Sequence, residues 1–189
     1  MRYPEYRAVL SDLGMSSAQL DNLISCFRPS SFDKDKTILN IGDKFDEVLI
    51  LSRGAVRCYY LTPEGEESNK LFFFEDNIVF PVAPIARNQP SMFGIVTCES
   101  SLILRMSFTE FKQYLVAMNI WQPFYLTYLE WLVDSKVQRE YRLLTLNKNQ
   151  LIQNTIENES QVINRINDYH IASYLGMSPV TYSRLKPHS

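Results

Sequence analysis

A chain of 189 residues with 19 Lys and Arg against 21 Asp and Glu has a formal net charge of −2, which excludes a uniformly basic nucleic-acid coat but not a local basic patch. At 46% hydrophobic and 21% charged residues it has the composition of a folded protein, long enough for one large domain or two modest ones. No window reaches the roughly 18 uninterrupted apolar residues of a membrane span, and Met1-Arg2-Tyr3-Pro4-Glu5-Tyr6 leads into no signal-peptide core, so a cytoplasmic protein is expected.

Cysteine and histidine narrow the chemistry. Cys26, Cys58 and Cys98 are odd in number, far apart and without a Cys-x-x-Cys pair. That predicts three buried or half-buried thiols rather than disulfides or a zinc cluster. His170 and His188 both lie near the C-terminus. They are too few for a His-rich metal site or a catalytic triad. A cupin-like metal enzyme fails because residues 1–169 contain no histidine. The chain is read as a non-enzyme with no metal and no resident cofactor.

Residues 1–28 read as helical, with Ser16 as a cap before Leu20, Leu23, Ile24 and Phe27 at helical spacing. Between Phe32 and Ser107 short β-rich runs alternate with turns. Thr37–Leu39 ends at Gly42-Asp43, Val48–Leu51 at Gly54, and Val56–Leu61 at Pro63-Glu64-Gly65. Leu71–Phe74, Ile78–Phe80, Gly94–Thr97 and Leu102–Leu104 follow. This texture predicts an antiparallel barrel or jelly roll. Phe108–Met118 is expected as a short helix capped by Ser107.

Trp121–Leu146 reads as one long helix with two stripes. One is aromatic: Trp121, Phe124, Tyr125 and Tyr128, continued by Leu132. The other, mostly aliphatic, carries Leu126, Leu129, Val133, Val137, Tyr141 and Leu144 at steps of three and four. A helix apolar on two sides has two partners. The assignment is the barrel on the aromatic side and a second copy of the chain on the other; the alternative buries both stripes within one chain. Leu151, Ile152 and Ile156 mark a further short helix, and Val162–Ile166 reads as extended.

The most specific signal runs from Ile171 to Lys186. Asn167 or Asp168 can cap a first helix, Ala172 allows a close crossing, and Gly176 supplies a turn. Ser178 caps a second helix with Pro179 at its first position. Tyr182 and Leu185 face inward with Met177, leaving Val180, Thr181, Ser183 and Arg184 outward. This is the pattern of a helix-turn-helix, whose second helix can enter a major groove. Between 161 and 189, Arg165, Arg184 and Lys186 stand against Asp168, a local +2 that leaves −4 for the rest. The candidate DNA contacts are Ser178, Val180, Thr181, Ser183, Arg184 and Lys186. Val180 suits a thymine methyl, and Arg184 suits guanine or phosphate.

With Ile171-Ala172-x-x-Leu175-Gly176, Thr181-x-Ser183-Arg184 and the Gly42-Asp43, Gly54 and Gly65 turns, the chain resembles the bacterial Crp/Fnr transcription regulators from about Leu20 to Lys186. The resemblance implies an α+β fold: a double-stranded β-helix (jelly-roll) sensor barrel of the cyclic-nucleotide-binding type, a long dimerisation helix, and a small helix-turn-helix domain. The implied boundaries are 1–118, 119–146 and 147–189. It also implies a homodimer on double-stranded DNA carrying an inverted repeat, with RNA polymerase as a further partner. Phe80, Arg87, Ser91 and Tyr128 would then surround the effector pocket.

Two departures qualify this. Val79-Phe80 stands where nucleotide-binding members carry Gly-Glu for the ribose, and Ser91 has no arginine beside it, Arg87 being the nearby cation. A buried phosphate so poorly compensated predicts a sensor that does not bind cyclic AMP. Neither the scattered cysteines nor a sensor region without histidine fits iron–sulfur or haem sensing. After Lys186 only Pro187-His188-Ser189 follow, which predicts no β-hairpin wing and fewer phosphate contacts. The alternative function is a ligand-binding or protein-interaction module that has lost DNA binding.

Overall fold

The computed structural model describes residues 3–187. His188 and Ser189, on which part of the wing expectation falls, lie outside them. The N-terminal stretch is helical in two pieces, α1 (Tyr6–Asp12) and α2 (Ser17–Ser25), separated by a turn at Gly14, and Arg28 already begins a strand. Ser16 caps α2 reciprocally with Gln19. Cys26, which ends α2, is exposed rather than buried, whereas Cys58 is buried and Cys98 half-buried.

Eight strands follow: β1 (Arg28–Phe32), β2 (Thr37–Leu39), β3 (Glu47–Arg53), β4 (Val56–Leu61), β5 (Glu67–Phe73), β6 (Ile78–Val79), β7 (Gly94–Thr97) and β8 (Ser101–Ser107). They form two antiparallel four-stranded sheets, ordered β1-β8-β3-β6 and β2-β7-β4-β5. Leu49, Leu51, Val56, Cys58, Phe73, Ile95 and Ile103 fill the space between the sheets. This is the jelly-roll-like packing that period-2 strands dictate. A short helix, α3 (Pro84–Asn88), interrupts the passage from β6 to β7.

Ser107 caps α4 (Phe108–Ala117) through the Glu110 amide. The long helix α5 (Trp121–Thr145) lays Phe124 and Tyr128, both fully buried, into a core with Val48, Ile50, Ile78, Phe80 and Phe111. Its other stripe does not bury within the chain. Leu126, Val133, Val137 and Tyr141 are all more than half exposed, while Leu129 is half-buried. Among the described residues no helix is long and apolar enough to cross a membrane.

The C-terminal region is α6 (Lys148–Asn158), α7 (Ser160–Arg165), α8 (Asp168–Tyr174) and α9 (Pro179–Leu185). Val162–Ile166 is mostly helical, not extended. β-branched residues disfavour helix only weakly, and burying Val162 and Ile166 in the third core offsets that. That core joins Ile152, Ile171, Ala172, Tyr174, Leu175, Met177 and Tyr182 to Ala55, Phe72 and Phe74 of the barrel. The terminal helices therefore share one apolar cluster with the sensor barrel.

Candidate nucleic-acid interface and effector region

The turn between α8 and α9 is built locally. Asn167 accepts the Tyr169 amide at 2.9 Å and caps α8. Gly176, at φ +67°, makes the left-handed residue that ends it. Ser178 accepts the Thr181 amide at 3.2 Å, and Pro179 sits at the start of α9. Tyr182 is fully buried and fixes the inner face of α9. Opposite it, Val180, Ser183 and Arg184 are exposed. Thr181 is half-buried, with its hydroxyl 2.9 Å from that of Ser178. The Lys186 ammonium lies 3.0 Å from both oxygens of Asp168, tying the end of α9 to the start of α8.

α8 is held on the free edge of β5. The Ser173 hydroxyl donates to the Glu67 carbonyl at 2.9 Å and accepts the Asn69 amide at 3.0 Å. It thus satisfies backbone groups that an edge strand otherwise leaves open. Buried Asn69 also donates to the His170 carbonyl at 3.3 Å, and the Phe72 and Tyr174 rings meet edge-on at 5.3 Å. Below α8, Arg165 makes a two-pronged pair with Glu75, at 2.7 and 2.9 Å, and a further contact with Glu99. Those hydrogen bonds hold the Glu75 carboxyl at about 2 against the opposing effect of burial, and the Gly54 amide, 2.7 Å away, adds to them. Desolvation is the main cause lowering the His170 pKa, followed by the Arg57 charge.

The four residues expected around an effector pocket do not converge on one void. Phe80 is buried between the barrel and α5, against Phe108, Phe124 and Tyr128 at centroid distances of 6.2, 5.8 and 5.4 Å. The Tyr128 hydroxyl donates to the Pro4 carbonyl at 3.3 Å, and burial pushes its pKa up. Arg87 spends its guanidinium on the Pro81 and Val82 carbonyls and lies over the Tyr125 ring. Ser91 stands apart, buried, with its hydroxyl on the Phe93 carbonyl at 2.7 Å. The sequence reading missed Tyr3. Its ring wedges between the barrel and α5, 5.0 Å from Phe73 and 4.4 Å from Trp131, and its hydroxyl meets the Ile78 carbonyl. A single aromatic residue in a short N-terminal segment offers no periodicity by which to find it.

With this geometry the barrel can be compared with known domains. Residues 29–117 match the cyclic nucleotide-binding domain. The match runs from β1 to the end of α4, over the barrel and the helix that follows it. No curated protein matches the chain in sequence. Among solved structures, the c-di-GMP-responsive global regulator CLP of Xanthomonas campestris superposes with a TM-score of 0.72 at 12% identity, over 90% of this chain and 89% of that one. FixK2 of Bradyrhizobium japonicum gives 0.69 at 15%, over 84% and 82%. A CooA mutant from Carboxydothermus hydrogenoformans gives 0.69 at 19%, over 94% and 81%. At such identities the likeness is one of fold, and it extends beyond residues 29–117 through α5 into the terminal helices.

Proposed function

We propose that the chain is a dimeric DNA-binding transcription regulator of the Crp/Fnr type whose sensor does not respond to cyclic AMP. The observation that carries this reading is the outward row Val180, Ser183 and Arg184 on α9, backed by buried Tyr182. A short apolar contact, a hydroxyl and an unpaired guanidinium on one face of a braced helix are what base-edge and phosphate contacts need. The fold shared with CLP and FixK2 supports it. In this reading residues 1–118 sense, 119–146 dimerise and 147–189 bind DNA. Leu126, Leu129, Val133, Val137 and Tyr141 form the dimer seam. Ser178, Val180, Thr181, Ser183, Arg184 and Lys186 form the DNA face.

Binding to mixed genomic DNA, followed by anisotropy across a salt series, tests the reading. Affinity should fall linearly on a log–log plot. Arg184→Ala should cost ~1–3 kcal/mol if that side chain grips a guanine, and lose affinity evenly across sequences if it meets only phosphate. Unchanged binding by Arg184→Ala at every salt would assign the helices to the interaction-module alternative. One observation favours that alternative: Arg165 and Lys186, two of the three local cations, are already paired with carboxylates.

The reading excludes cyclic AMP because Phe80 occupies the barrel–α5 junction and Arg87 is committed to two carbonyls. Calorimetry with cyclic AMP should give no heat of binding in the micromolar range; a micromolar affinity would contradict this part.

A further inference from the structure

We propose that the cavity where β5, α5 and the α7–α8 region meet binds a small organic anion, a phosphate or carboxylate carried on a planar aromatic body. The cavity has a volume of about 450 Å³, within the range of small-molecule sites. It is distinct from α9, and the proposal stands whether or not α9 reads DNA.

The charges lining it do not balance locally. Lys70, Lys136, Arg139 and Arg142 face Glu5, Glu75 and Glu159 across the cavity. Glu75 is taken by Arg165. Glu159 is taken by Arg142 at 2.9 Å and by the Tyr174 hydroxyl at 3.1 Å. Glu5, the third carboxylate, has interactions of its own, and Lys70, Lys136 and Arg139 have no carboxylate within ion-pair distance among the described residues. Arg139 donates to the Tyr174 carbonyl at 2.9 Å, and the Lys70 ammonium lies 4.5 Å from the Phe93 ring centroid. Lys136 has neither a hydrogen bond nor an ion pair among the described residues. Loss of water contact, then the Lys70 and Arg139 charges, draws its pKa down to about 8, while the buried Cys58 thiol opposes this slightly. Like charges gathered in excess of the carboxylates beside them raise the local affinity for an anion.

The walls select the rest of the ligand. Tyr3, Phe72, Trp131 and Tyr174 give the cavity aromatic faces. The Trp131 ring packs edge-on against Tyr3 at 4.4 Å, and its indole N–H is buried behind that contact. Planar aromatic surface and cationic side chains without ion pairs are complementary to an aromatic acid or an aryl phosphate. Arg139 connects the cavity to α8 through the Tyr174 carbonyl, so an occupant would bear on the helix that precedes α9.

Calorimetry of the full chain with phenyl phosphate and with benzoate separates the two anion sources, and phenol serves as the neutral comparison. Saturable binding of phenyl phosphate, benzoate or both at one site per chain is expected, with phenol much weaker. Lys136→Gln and Lys70→Gln should each weaken it by about tenfold, the loss of one charge-assisted contact. Lys112→Gln, whose ammonium sits over Trp121 on the far part of α5, should leave it unchanged. No saturation by either anion up to about 10 mM, equal binding of phenol, or full affinity in both Lys136→Gln and Lys70→Gln would overturn the proposal. None of these outcomes depends on DNA binding.

Discussion

Glu75 concentrates several constraints in one side chain. It accepts the Gly54 amide and both guanidinium nitrogens of Arg165, joining a barrel turn to the terminal helices. With the folded carboxyl held at about 2 and an unfolded value of about 4.3, the pair stabilises the protein above the unfolded value, and the contribution fades as pH falls towards the folded one. Arg165→Gln should cost about 1–2 kcal/mol at neutral pH, discounted for partial solvent exposure. Urea unfolding of wild type and variant should show that gap closing below about pH 4; a gap independent of pH would refute the assignment. Gly54 is constrained separately. It adopts φ +103°, and an added Cβ would lie 2.7 Å from the Ser101 Cα. Gly54→Ala should therefore cost at least the ~1–3 kcal/mol of a strained backbone, read as a lower Tm.

At the scale of elements, α5 is a helix with one face used and one unused. Phe124 and Tyr128 are buried in the barrel core, while Val133 is 53% and Tyr141 64% exposed along the opposite stripe. Exposed apolar side chains repeating at helical steps mark a surface that excludes water in a complex. The wild type should sediment as a dimer at micromolar concentration. Leu129→Glu with Val133→Glu should sediment as a monomer, since unpaired buried charge costs several kcal/mol; a monomeric wild type would contradict the seam. The two stripes were legible in the sequence because helical spacing separates them. So were the strands ending at Gly42, Gly54 and Gly65, where turn chemistry is local. Arg28–Phe32 was not, because Arg-Pro-Ser-Ser-Phe has little β character and becomes a strand only by pairing with β8. The helical Val162–Arg165 was misread because burial against Phe72 and Phe74, residues distant in sequence, decides its conformation.

Across the whole molecule, the functional expectations divide along the same line. The caps and turn of α8 and α9 depend on residues a few positions apart, and the sequence exposes them. The cavity at β5, α5 and α8 depends on Lys70, Lys136 and Tyr174 meeting from three elements, which no local pattern announces. Nor does a pattern announce that α8 covers the open edge of β5 through Ser173. In the proposed dimer, that docking would fix both α9 helices relative to the barrels, so that they address successive major grooves about 34 Å apart. Genomic footprinting of the tagged protein beside Arg184→Ala tests this claim most directly. The account predicts protected inverted repeats with half-sites about one helical turn apart, lost or weakened in the variant. Absence of protected sites, or an identical pattern in Arg184→Ala, would contradict it.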